Sequence, residues 1–208
     1  MSKEKFIEIY NAKIHRPGAD KLLDWLQSQD FFTAPASTKY HLCKPGGLVE
    51  HSINVYDRLL HFIYAEYPEN SPYSSETLAV VALLHDLCKV NFYELGSKNQ
   101  KTYDPDKVAA APRGSVKHDS AGDFIWETVP SYTVNEKFIY GHGEKSVYIV
   151  RSFMQLSTEE AVAIHFHMGA WNHDEERNAG NAFSKYPLAF FLHVADEAAS
   201  FLDETEAE

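Results

Sequence analysis

Residues 78–84 read Leu-Ala-Val-Val-Ala-Leu-Leu. A helix that is apolar all round belongs in a core rather than at a surface. This one ends on His85-Asp86, an ionisable pair that is costly to bury unless something pairs with it or coordinates it. Ser74 and Ser75 precede the run and can cap its start. Helical period also marks residues 19–29, where Leu22, Leu23, Trp25 and Leu26 follow Pro17-Gly18. It marks residues 48–67 as well, with Val49, Ile53, Tyr56, Leu59, Leu60 and Ile63 between the breaker Pro45-Gly46-Gly47 and Pro68. Ser157 with Glu160 has the spacing of a capping box opening a helix through Met168. Pro187 fits the first turn of a final helix running to about Leu202.

Two segments break this pattern. Residues 90–117 hold Gly96, Pro105, Pro112 and Gly114 with little apolar periodicity, and a long lid-like loop is expected there. Residues 132–140 alternate with strand period, which predicts a small β-hairpin beside the helices. The predicted fold is mainly α, one domain over residues 1–208 with a solvated acidic tail at 203–208.

The net charge of −11 over 208 residues argues against tracking a long phosphate backbone. A small anionic substrate is compatible with it where local cations offset the repulsion. Cys43 and Cys88 form no CxxC pattern, so a reduced, cytoplasmic setting is expected. There is no charged-then-apolar leader pattern and no apolar run near the roughly 18 residues that span a bilayer.

Three places carry candidate chemistry. His51 falls in the first turn of its helix, and His85-Asp86 closes the apolar one. Asp196 has Leu188, Leu192 and Ala199 as helical neighbours, which puts a carboxylate on or near an apolar face. It needs a partner there: a metal shared with His85-Asp86, or simply a histidine such as His193. Other chemistries lack their motifs. There is no HExxH, GxGxxG or GxSxG, and Lys145-Ser146 lacks the glycine that precedes the lysine of a phosphate-binding loop.

The string Gly46-Gly47-Leu48-Val49-Glu50-His51, the string Leu84-His85-Asp86-Leu87-Cys88-Lys89 and the later Asp196 occur in an order that resembles the HD-domain metal-dependent phosphohydrolases, over about residues 40–203. The resemblance implies a helical HD-domain bundle in which His51, His85, Asp86 and Asp196 ligate a divalent metal. Members with additional histidines between the HD pair and the last aspartate hold two metals, bridged by the HD aspartate. Here His142, in the string 140–146, and His165 and His167 are available. Residues two apart on a helix point about 200° from each other, so one centre rarely takes both His165 and His167. His165 shares a face with Ala161 and Met168 and reads as a core residue. His167, beside Met168-Gly169, resembles the His-Gly neighbourhood of two-metal members, so His142 and His167 are expected at a second ion, with a single-ion site as the alternative. His118 is a further candidate.

Imidazole and carboxylate ligands suit Mn, Fe, Co, Ni or Zn better than Mg. No cysteine is required, and Cys88 reads as a buried small hydrophobe rather than a nucleophile. What the resemblance implies is hydrolysis of a phosphate ester, the substrate being a nucleotide, a cyclic nucleotide or a short oligonucleotide. Asp86 would position the attacking water or bridge the metals. Lys89, one turn on, reaches the substrate phosphate or pairs with Asp86 at i+3. Lys145 and Arg113 are further phosphate candidates, each otherwise solvent-facing. Two other readings stay open: a non-catalytic HD module that binds a nucleotide or partner around a structural metal, and an oxygenase using paired iron.

Overall fold

The computed structural model describes residues 2–170 and 173–205. Residues 78–84 are all buried in α4 (Ser75–Leu84), as an all-apolar helix requires. Ser74 caps it, its hydroxyl accepting from the Thr77 N–H at 3.0 Å. Against α4 pack α1 (Ser2–Lys13), α3 (Gly47–Glu66) and α7 (Thr158–His165), while α9 (Pro187–Ala198) lies on α3 and α7. The amphipathic α2 (Ala19–Ser28) adds Leu22, Leu23 and Leu26 to the same continuous core. The capping box at α7 is formed: Ser157 Oγ accepts from the Glu160 N–H at 3.1 Å, and the Glu160 carboxylate accepts from the Ser157 N–H at 2.8 Å. The helix stops at His165, short of Met168, and Gly169 turns the chain with a left-handed φ of 69°. α8 (His173–Lys185) then leads into α9.

The segment 90–117 is not the expected loop. It carries β1 (Tyr93–Thr102) and the short α5 (Pro105–Ala110), followed by β2 (Lys117–Asp119) and β3 (Gly122–Val134). The three strands form an antiparallel sheet in the order β1-β3-β2, with Tyr93 opposite Val134 and Thr102 opposite Ile125. The strand sequence Tyr-Glu-Leu-Gly-Ser-Lys-Asn-Gln-Lys-Thr has no apolar alternation because β1 is exposed along nearly its whole length. Its order comes from main-chain pairing with β3, whose β-branched and aromatic residues carry the strand propensity. Only 132–134 of the segment 132–140 belongs to a strand; the rest leads into α6 (His142–Arg151). The molecule is mainly helical, and the sheet is its smaller part.

The C-terminal segment also departs from expectation. After α9 the backbone widens into a π turn, Ala199–Asp203. Asp203 accepts from Arg58 Nε at 2.7 Å, and Glu204 is buried. Glu204 is therefore not part of a solvated tail, while Asp203 and Thr205 are exposed; 206–208 lie outside the described residues. No helix among the described residues is long and apolar enough to cross a membrane.

Candidate metal centre

Local sequence fixes each candidate side chain. Gly47 opens α3 where a Cβ would meet the Leu42 carbonyl oxygen at 2.1 Å, so the chain can turn tightly and place His51 just inside the helix. His85 keeps helical geometry as the last residue of α4's run, and Asp86 begins the 3₁₀ turn Leu87–Lys89. Asp196 comes from α9 and His142 begins α6. His167 projects from the turn after α7. Gly143 lets α6 approach α7 closely, since a Cβ there would sit 2.1 Å from the His165 carbonyl oxygen, and the His142 and His167 rings stand 5.2 Å apart.

These side chains converge. His51 Nε2 is 3.1 Å from Asp196 Oδ1, 3.2 Å from His85 Nε2 and 3.5 Å from Asp86 Oδ2. The other Asp86 oxygen is 2.9 Å from His142 Nε2 and 3.4 Å from His167 Nε2. Lys89 Nζ lies 2.6 Å from Asp86 Oδ2. His51, His85, Asp86, His167 and Asp196 are all buried, and the His142 side chain is 35% exposed, at the mouth of the cluster.

The outward nitrogens set the tautomers. His85 Nδ1 donates to the Ala82 carbonyl at 2.7 Å and His167 Nδ1 to the Ile164 carbonyl at 2.6 Å. A carbonyl only accepts, so both Nδ1 atoms carry hydrogen and both neutral rings turn an Nε2 lone pair inward. His51 is held the same way by the Glu204 carboxylate, with Nδ1 at 3.1 Å from each oxygen. Inward Nε2 atoms 3.2 Å apart require a proton or a cation between them. Among the described residues His167 Nε2 has no hydrogen-bond partner beyond its 3.4 Å approach to Asp86 Oδ1, an orphan that a buried polar atom rarely remains. Nδ1 held by a carbonyl or carboxylate with Nε2 turned to a shared centre is how metal-binding histidines are oriented.

Charge balance at the site follows from its close neighbours. Burial pulls the His51 imidazolium down, but Asp196 and Glu204 outweigh it and raise its pKa to about 9. Burial would raise both Asp86 and Asp196; instead Lys89, His85, His142 and His167 hold Asp86 well below the carboxylate range, and His51 does the same for Asp196. Burial lowers His142, the side of the cluster where its exposed edge meets solvent.

Asp196 takes His51 as its partner rather than His193, whose Nδ1 donates to the His167 carbonyl at 2.7 Å. Lys89 pairs with Asp86 at i+3. Lys145 is buried, not solvent-facing; its Nζ pairs with Glu136 at 2.8 Å and lies 5.2 Å from the Phe92 ring centroid. Arg113 is exposed between α5 and β2. His118 is exposed on β2, bonded to Asp123. His165 lies in a surface cleft of about 520 Å³ with Tyr140, Tyr148 and Arg151, separate from the cluster.

Glu204 is a residue that sequence reasoning missed, as is His41, which groups with it and His51. Besides His51, Glu204 accepts from Asn54 Nδ2 at 2.9 Å. A straight helix would put Glu204 about 80° around the axis from Asp196, which hid it. The π turn takes up an extra residue and swings it back toward His51.

Among the described residues, four overlapping groups of donors are close enough together that each could hold a metal: His51–His85–Asp196, His85–Asp86–His167, Asp86–Cys88–His142 and His41–His51–Glu204. No family model matches the chain, and none of the curated proteins or solved structures compared with it matches either.

Proposed function

We propose that this protein is an HD-type metal-dependent phosphohydrolase acting on the phosphate ester of a nucleotide, a cyclic nucleotide or a short oligonucleotide. The observation that carries it is the convergence of His51 from α3, His85 and Asp86 at the end of α4, and Asp196 from α9, with inward Nε2 atoms and, among the described residues, a buried unpartnered His167 Nε2. His51, His85, Asp86 and Asp196 would hold one divalent cation, and Asp86 with His142 and His167 would hold a second. A cation in this shell supplies Lewis acidity toward water and a phosphoryl oxygen.

The chain's own groups do the rest. Asp86 orients a water toward phosphorus through an acceptor oxygen. Lys89 Nζ, held at Asp86 and only slightly exposed, donates to a phosphate oxygen as negative charge builds on it. His142, the exposed member, marks the side from which substrate enters. The net charge of −11 favours a small substrate over long nucleic acid, which an acidic surface repels.

The test is a screen of mono-, di- and cyclic-phosphate nucleotides and short oligonucleotides against protein supplemented with Mn, Co or Zn. Turnover that disappears in Asp86→Ala supports the proposal. Bound metal with silence across the whole panel contradicts it and favours a binding module with a structural metal.

A further inference from the structure

Cys88 is buried, but its surroundings are not those of an apolar filler. Its Sγ lies 3.3 Å from Nδ1 and 3.4 Å from Nε2 of His142, and 3.8 Å from Asp86 Oδ1. That same oxygen faces His142 Nε2 at 2.9 Å and, at 3.4 Å, the fully buried His167 Nε2, which has no hydrogen-bond partner among the described residues. Bonds of about 2.3 Å to sulfur and about 2.1 Å to nitrogen or oxygen, at tetrahedral angles, separate donors by roughly 3.4–3.6 Å. The spacings around Cys88 bracket that range.

The backbone holds the sulfur in place. The Cys88 N–H donates to Ser146 Oγ at 3.0 Å, and Ser146 is buried on α6, one turn beyond His142. The 3₁₀ turn that carries Cys88 is thus tied to the helix that carries His142. An exposed edge of His142 leaves the group open to an incoming ion.

We propose that Cys88 Sγ is a thiolate ligand of the cation held by Asp86 Oδ1 and His142, the three donors all lying within 4.8 Å of one another. This rests on the metal-centre reading above and gives the second position its chemical class. A sulfur ligand selects Zn, Fe or Co there and disfavours Mn and Mg. As the metal–sulfur bond forms, the thiol proton leaves to solvent, since a coordinating thiol is deprotonated outright.

Cobalt(II) tests this, because a thiolate ligand gives it a charge-transfer band in the near ultraviolet that imidazole and carboxylate do not. The full chain is titrated with CoCl₂ in a Cys43→Ser background, which removes the exposed thiol. The expected result is a near-ultraviolet band growing with one bound equivalent, lost in the further variant Cys88→Ser, with that equivalent weakened by about tenfold or more. Stoichiometric cobalt without the band overturns the cysteine assignment and leaves the imidazole–carboxylate centre standing. A band that persists in Cys88→Ser overturns it too. Failure to bind stoichiometric cobalt overturns both. The parent spectrum decides the matter even where Cys88→Ser folds poorly.

Discussion

His51 stands between two carboxylates: Nδ1 is 3.1 Å from both oxygens of Glu204, and Nε2 is 3.1 Å from Asp196. Glu204 thereby fixes the ring's tautomer and aims its inner nitrogen. Outer partners of this kind are worth about 10–100-fold in metal affinity. Glu204→Gln is expected to weaken metal binding by that factor, read by calorimetric titration, with helix content unchanged by circular dichroism. Arg58→Ala, which releases the neighbouring Asp203, breaks a partly exposed pair and is expected to cost only about 0–1 kcal/mol of stability.

Lys89 and Asp86 form a pair that is almost wholly buried. Removing one partner of such a pair leaves an uncompensated charge, at a cost of about 3–5 kcal/mol. Lys89→Met is expected to lower the thermal midpoint of metal-free protein sharply. A bound cation neutralises Asp86, so added metal restores much of that loss while turnover stays absent. A midpoint unchanged from the parent would contradict the pairing.

The pH dependence follows from His51. Burial opposes its charge, but Asp196 and Glu204 prevail and its pKa is raised to about 9. In metal-free protein that protonated ring contributes stability in full below the ordinary value of 6.5, and the contribution is lost as pH rises through about 9. Metal requires the neutral ring, so affinity runs oppositely, rising with pH up to about 9 and levelling above it. Titrations across that window, paired with melts of the metal-free chain, check both slopes.

Gly143 lies at a close approach of α6 to α7, a Cβ there falling 2.1 Å from the His165 carbonyl oxygen. Gly143→Ala must push the helices apart, at about 1–3 kcal/mol. Because it also separates His142 from His167, it is expected to weaken the second metal equivalent and spare the first. Equal weakening of both would contradict the division of ligands between two positions.

Periodicity made the buried α4, the capping box at Ser157 and the long α3 legible, because each depends on residues a few positions apart. That His85-Asp86 and Asp196 need partners was legible for a related reason: they are charges on apolar faces, and such faces admit charge only for cause, whereas His142 and His167 were expected only from the resemblance. β1 was not legible, since an exposed strand paired by its main chain leaves no apolar pattern in Tyr93–Thr102. Glu204 escaped because a π turn shifts the helical register in a way that no spacing rule anticipates. Lys145 looked like a surface cation, and only the Phe92 and Phe138 rings and Glu136 brought together by tertiary structure bury it.

The most direct test of the central claim is the metal content of the purified full chain after loading and desalting, compared with His85→Ala. His85 Nε2 faces His51, Asp86 and Asp196 at once, so its loss opens the middle of the cluster. One or two equivalents of a divalent transition metal in the parent, falling by at least one in His85→Ala, is the predicted result. A parent chain that retains no stoichiometric metal, or a variant that retains as much as the parent, would contradict it.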